Sequence, residues 1–218
     1  MTERSILCFG DSNTWGYMPR GDADPLQFRR YDRDIRWPSV LESLLGPGHR
    51  VYDYGICGLA GAMPSGQAKF EEGMSRAAID HVKGAIAARV PIDDLVVMLG
   101  TNDLAHPAKH APETIAEGIV TTVRAGLATA TFYGSSPVVW LVSPIPLGAA
   151  VLSFEAGASA IERSRGLAPA LHEQASRNDW KFFDAATAGQ LEGGDGVHWS
   201  AGHHRRFAEL MAKTLRQT

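Results

Sequence analysis

Four short stretches of this chain carry side chains whose types and order suit acyl transfer. Gly10-Asp11-Ser12 offers a hydroxyl on a tight turn. Gly55-Ile-Cys-Gly58-Leu-Ala-Gly61 offers glycine-rich backbone, and Gly100-Thr101-Asn102-Asp103 a carboxamide beside a carboxylate. Asp195-Gly196-Val197-His198 sets a carboxylate three residues before an imidazole. A serine hydroxyl is a weak nucleophile and needs a neighbouring base. His198 suits that task near neutral pH. Asp195 suits the third role, fixing the imidazole tautomer and stabilising the imidazolium as it forms. A tetrahedral intermediate needs preorganised donors for its oxyanion. The Ser12 backbone N–H, the Gly58 backbone N–H and the Asn102 amide are the candidates. Gly58 fits because backbone without a Cβ can approach a ligand closely. Asp11, Trp15 and Val197 flank these residues and are expected to line the substrate pocket.

These residues need elements that bring them to one place. Apolar runs at Ser5–Phe9, His49–Asp53, Asp94–Leu99, Pro137–Val142 and Trp180–Phe183 read as five strands. Stretches at Trp37–Leu45, Gln67–Val90, Pro112–Tyr133, Ser153–Arg177 and Ser200–Arg216 read as helices, with Ser200 as an N-cap. Strands alternating with helices imply a mostly parallel five-stranded sheet in a three-layer α/β/α sandwich, flavodoxin-like in kind. Uninterrupted apolar strands agree, because a parallel sheet is covered on both faces. In such a sheet ligands sit outside the carboxyl ends of the strands. Each of the four stretches follows a strand, the last after an intervening loop. The residues 1–218 are read as one domain. The 17–36 loop and the 144–160 insertion are long, and such segments tend to build pocket walls or subunit contacts.

The four stretches, in this order from residue 10 to residue 198, resemble the sequence blocks of the SGNH (GDSL-type) hydrolase superfamily. Ile6–Gly16, Arg36-Trp37, Val97–Asp103, Val142–Pro146 and Phe182–Asp184 are similar to its arylesterase/acyltransferase branch. The resemblance implies an SGNH fold and a serine esterase with no cofactor. Its catalytic residues would be Ser12, Asp195 and His198, with oxyanion donors at Ser12, Gly58 and Asn102. It implies small-acyl esters of aryl, alkyl or sugar alcohols as substrates, with acyl transfer to alcohols beside hydrolysis. It also implies a homo-oligomer. Three departures stand out, one being that the Gly61–Glu72 segment does not match the branch. Asn13 occupies the fourth place of the first block, where the family's name has leucine, and no part in the chemistry is expected of it. Tyr54-Gly55 replaces the frequent asparagine before the second glycine turn.

Composition sets the outer limits. The chain has 218 residues, 44% of them hydrophobic, and a net charge of −3. That apolar content supports a core, while the charge balance disfavours nucleic acid as a partner. Arg29, Arg30, Arg33 and Arg36 alternate with Asp32 and Asp34, which reads as a locally neutral, solvated loop. The most apolar stretch is broken by Pro144 and Pro146 and is shorter than the ~20 residues a membrane span needs. The N-terminus has no secretory pattern and the only cysteines are Cys8 and Cys57, so a reduced cytoplasmic protein is expected. His203 and His204 are adjacent, and no zinc-binding spacing exists, so no metal is expected. A thioesterase or carbohydrate acetylesterase would use the same residues. The readings of another class are a non-catalytic binding module and a nucleotide binder. The first has no need of all three triad residues, and the second lacks a phosphate loop.

Overall fold

The computed structural model of the protein describes residues 3–19, 29–66, 73–105, 110–153, 157–191 and 194–217. Five strands form one sheet: β1 (Arg4–Gly10), β2 (His49–Gly55), β3 (Asp94–Met98), β4 (Val138–Ser143) and β5 (Lys181–Asp184). Every pairing is parallel and the order is β2-β1-β3-β4-β5. Among the described residues, seven α-helices accompany them: α1 (Ser12–Trp15), α2 (Trp37–Leu45), α3 (Ile79–Ala87), α4 (Thr101–Leu104), α5 (Pro112–Phe132), α6 (Gly157–Arg177) and α7 (Ala201–Leu215).

The strand residues divide by parity, as a pleated sheet requires. Leu7, Phe9, Leu95, Val97 and Leu141 point to one face, where α3, α5 and α6 supply Ile86, Ile115, Ile119 and Leu167. Ile6, Cys8, Val96, Met98 and Val142 point to the other, where α2 and α7 supply Trp37, Leu41, Phe207 and Met211. Two buried cores therefore sandwich the sheet, giving the expected three layers. An ion pair, buried on its Asp94 side and partly exposed at Arg4, ties the strand starts together. Asp94 of β3 is fully buried and accepts from Arg4 Nε at 2.7 Å, Arg4 Nη2 at 3.0 Å and Trp140 Nε1 at 3.1 Å.

Topology selects the working edge. The chain passes from β1 outward to β2, then crosses back to β3 on the other side of β1. That reversal leaves a crevice at the carboxyl ends of β1 and β3. In register, Gly10 lies level with Gly55 and with Met98. The segments carrying Ser12, Gly58 and Asn102 thus leave the sheet at one height.

The strand and helix expectations meet the structure within a few residues, and two expectations are corrected. The helix read over 67–90 is confined to Ile79–Ala87. Within it, residues 67–72 lie outside the described residues. Residues 76–78 pair with Ala60 instead: Ala60 N–H donates to Arg76 O and Ala78 N–H to Ala60 O, both at 2.9 Å. Gly73, at φ +83°, is itself incompatible with a helix interior. The arginine run is a second correction. Arg30 and Arg36 reach the same carboxylate oxygen of Asp53 on β2, at 3.1 and 2.6 Å, and Arg33 reaches Glu42 at 3.3 Å. These partners are distant in sequence, so charge alternation along the loop does not describe its electrostatics. Residues 20–28 and 154–156, inside the two long segments, lie outside the described residues. Among the described residues no helix is long and apolar enough to cross a membrane.

Candidate active site

The site begins at the end of β1. Asp11 caps α1, its Oδ1 accepting the Asn13 N–H at 2.9 Å, so Ser12 becomes the first helical residue. The turn is tight. A Cβ on Gly10 would lie 2.2 Å from Thr14 Oγ1 and 2.7 Å from Met98 O. Gly16 ends α1 in the left-handed conformation, and both Gly16 N–H and Tyr17 N–H return to Ser12 O at 2.9 Å. Tyr17 is thereby carried back over the site.

His198 meets Ser12 from the segment before α7. Its Nε2 lies 3.1 Å from Ser12 Oγ, and its Nδ1 lies 2.7 Å from Asp195 Oδ2. The other Asp195 oxygen accepts two backbone N–H groups, from Val197 at 3.0 Å and His198 at 2.8 Å. Burial pushes the Asp195 carboxyl up, but the His198 ring and these N–H donors outweigh it and hold the group well below the usual carboxylate range. An ionised carboxylate only accepts, so Nδ1 carries the proton in the neutral ring. Nε2 is then left as the acceptor facing the serine hydroxyl. Tyr17 covers the imidazole, with ring centroids 4.3 Å apart. No sequence motif marks Tyr17. Its only signal was the glycine just before it, which turns the chain back.

The second and third segments are bolted to each other. Asn102 of α4 donates its amide to Leu59 O at 2.9 Å. Asp103 accepts from Gly61 N–H at 2.8 Å and Ala62 N–H at 2.7 Å, one oxygen each. Thr122 Oγ1 donates to Gly61 O at 3.1 Å. The loop carrying Gly58 is therefore fixed in place by α4 and α5. Gly58 has φ +74°, a conformation other residues rarely adopt. Asp103 is 2% exposed, and burial raises its carboxyl above the usual range against the pull of the two backbone donors. Its role was legible only as a motif letter.

The expected pocket residues fare differently. Asp11 is 1% exposed and faces inward, where burial pushes its carboxyl up to about 6. Trp15 is half-covered, with the Arg30 guanidinium 4.6 Å above its ring. Val197 packs against the core on the α5 side. Burial, with the Asp11 charge behind it, pushes the Cys57 thiol up to about 12, so it is no thiolate nucleophile at neutral pH. His203 spends its ring on Ser200 Oγ and Gln190 O, and His204 accepts from Trp37 N–H. Two open clefts, of about 640 and 660 Å³, lie along Ile145–Ala150 and around Asp53. Neither has Ser12, Asp195 or His198 in its walls.

A serine, an imidazole and a carboxylate in hydrogen-bonded sequence at the carboxyl edge of a parallel sheet define the equipment of a serine hydrolase. The sequence profile of the GDSL-like lipase/acylhydrolase family matches residues 8–206, and the chain belongs to that family. Solved structures agree over nearly the full length. An aryl esterase from M. smegmatis is 30% identical, superposes with a TM-score of 0.85, and is matched over 98% of this chain and 99% of its own. A carbohydrate acetylesterase from Sinorhizobium meliloti is 28% identical, with the same TM-score and the same coverage. The protein is accordingly a carboxylic ester hydrolase with the SGNH hydrolase fold. No curated protein matches the sequence significantly.

Proposed function

We propose that the protein, as one SGNH-hydrolase domain, cleaves esters of small acyl groups through an acyl-Ser12 intermediate. The observation carrying this reading is the unbroken relay from Ser12 Oγ to His198 Nε2 at 3.1 Å and from Nδ1 to Asp195 at 2.7 Å. Ser12 Oγ attacks the ester carbonyl while His198 Nε2 takes its proton. The carbonyl oxygen becomes an oxyanion and accepts from the Ser12 and Gly58 N–H groups and the Asn102 amide. One amide hydrogen of Asn102 is committed to Leu59 O; the second is left for this task. The imidazolium, paired with Asp195, returns the proton to the leaving alkoxide, and an alcohol departs. Water then repeats the sequence in reverse roles and releases the carboxylic acid. An alcohol in place of water gives a new ester, so transfer competes with hydrolysis.

The likeness to an aryl esterase and to a carbohydrate acetylesterase supports acetyl-sized acyl groups on aryl, alkyl or sugar alcohols. The same likeness favours a second reading, removal of acetyl groups from carbohydrates. We place the protein in the cytoplasm as a homo-oligomer. The test is hydrolysis of p-nitrophenyl acetate by the wild type beside Ser12→Ala. Loss of the rate by three or more orders of magnitude is expected. Equal, feeble rates in both proteins would refute the reading, and a panel of aryl and sugar acetates separates the two substrate classes.

A further inference from the structure

Asn13 is 2% exposed and its carboxamide bonds the peptide groups on either side of His198. Nδ2 donates to Val197 O at 3.2 Å, and Oδ1 accepts the Trp199 N–H at 3.0 Å. The residue before the base gives up its carbonyl and the residue after gives up its N–H. Both are held by the side chain next to the proposed nucleophile. Ser12 and Asn13 are consecutive residues of α1, and the Asn13 backbone N–H is separately fixed to Asp11.

We infer that Asn13 is a positioning residue that sets the distance between Ser12 Oγ and His198 Nε2 across 186 residues of chain. The inference rests on the proposed roles of Ser12 and His198. The physical ground is that a carboxamide presents N–H donors and a carbonyl acceptor side by side in a single plane. It can therefore bind a carbonyl and an N–H flanking one residue, which restricts that residue's backbone. Asp195 holds the same segment from the other side, through the Val197 and His198 N–H groups. The imidazole is then fixed by backbone on two sides as well as by its own ring bond. Leucine, the residue in the family's name, supplies neither bond. This chain thus uses the position for a polar clamp.

The experiment compares Asn13→Leu and Asn13→Asp with the wild type and with Ser12→Ala, using p-nitrophenyl acetate and proton NMR. Asn13→Asp keeps the acceptor for Trp199 N–H and sets an acceptor against Val197 O. Displacing a reacting group by about 1 Å can cost 100-fold. The expected result is a fall in kcat of about 10- to 100-fold in both variants, with KM within about threefold. The downfield proton of His198 Nδ1 broadens or is lost, and melting temperatures stay within a few degrees. In the wild type the Asn13 carboxamide protons exchange slowly with water. A folded variant that keeps kcat within twofold overturns the inference, as does an unchanged His198 resonance or fast exchange of the Asn13 amide. If Ser12→Ala is as active as the wild type, the esterase reading itself fails. If Ser12→Ala is inactive and both Asn13 variants are fully active, only the clamp fails.

Discussion

Asp103→Asn tests whether the loop proposed to present an oxyanion donor is held from beneath. Asp103 gives one oxygen to Gly61 N–H and the other to Ala62 N–H, at 2.8 and 2.7 Å. Asparagine has the same shape but a single acceptor, so its NH₂ must face one of those N–H groups. A hydrogen bond to a charged group contributes about 1.5–3 kcal/mol. Some of that loss is returned, because burial already pushes the Asp103 carboxyl above its usual range and a neutral amide avoids that cost. A net destabilisation of about 2 kcal/mol follows, equivalent to about 4–8 °C in Tm for a chain of this size. The loop freed at Gly61 and Ala62 is the one that presents Gly58. Deleting an oxyanion donor costs about 100- to 1,000-fold in kcat. Loosening one is therefore expected to cost about 10- to 100-fold, with KM little changed, since the donor acts mainly on the transition state. Calorimetry and steady-state kinetics on p-nitrophenyl acetate read both numbers. A variant with a lowered Tm but kcat within twofold of wild type would show that the anchor is structural only.

Acid stability carries a signature of two buried groups. Burial, with the charges of His203 and Arg36, pushes the His204 imidazole from 6.5 down to about 3, so its neutral form stabilises the fold fully above pH 6.5 and that contribution is lost as pH falls toward 3. Asp11 has the opposite sign: its carboxyl is raised from 3.8 to about 6, and its protonation favours the fold as pH drops through that window. The two slopes oppose each other between pH 6 and 3.8. His204→Gln removes one of them and should gain about 2 kcal/mol relative to wild type between pH 7 and 5, by urea titration; parallel profiles would contradict the assignment. Arg4→Ala strips the main partner from the fully buried Asp94 and should cost about 2 kcal/mol or more by the same assay, with kcat unchanged, because the pair lies at the far end of β1 from Ser12.

The sequence by itself determined the sheet, its parallel sense and the identity of the candidate triad. Those follow from local signals: runs of apolar residues, a strand-to-turn glycine before Ser12, and an Asp–His spacing of three. It also supplied the family resemblance, which the profile match bears out. The tertiary structure decided what no local pattern encodes. Residues 76–78 resemble helix in composition, yet pair with Ala60, whose backbone groups need partners there. Arg30 and Arg36 neutralise Asp53, not the aspartates beside them in sequence. Asp103 anchors a loop some forty residues earlier, Tyr17 lies over His198, and Asn13 grips the chain on both sides of the imidazole. Each of these depends on which segments the order of strands in the sheet brings together. A residue's type fixes the bonds it can make, but only the folded chain fixes which groups are near enough to make them.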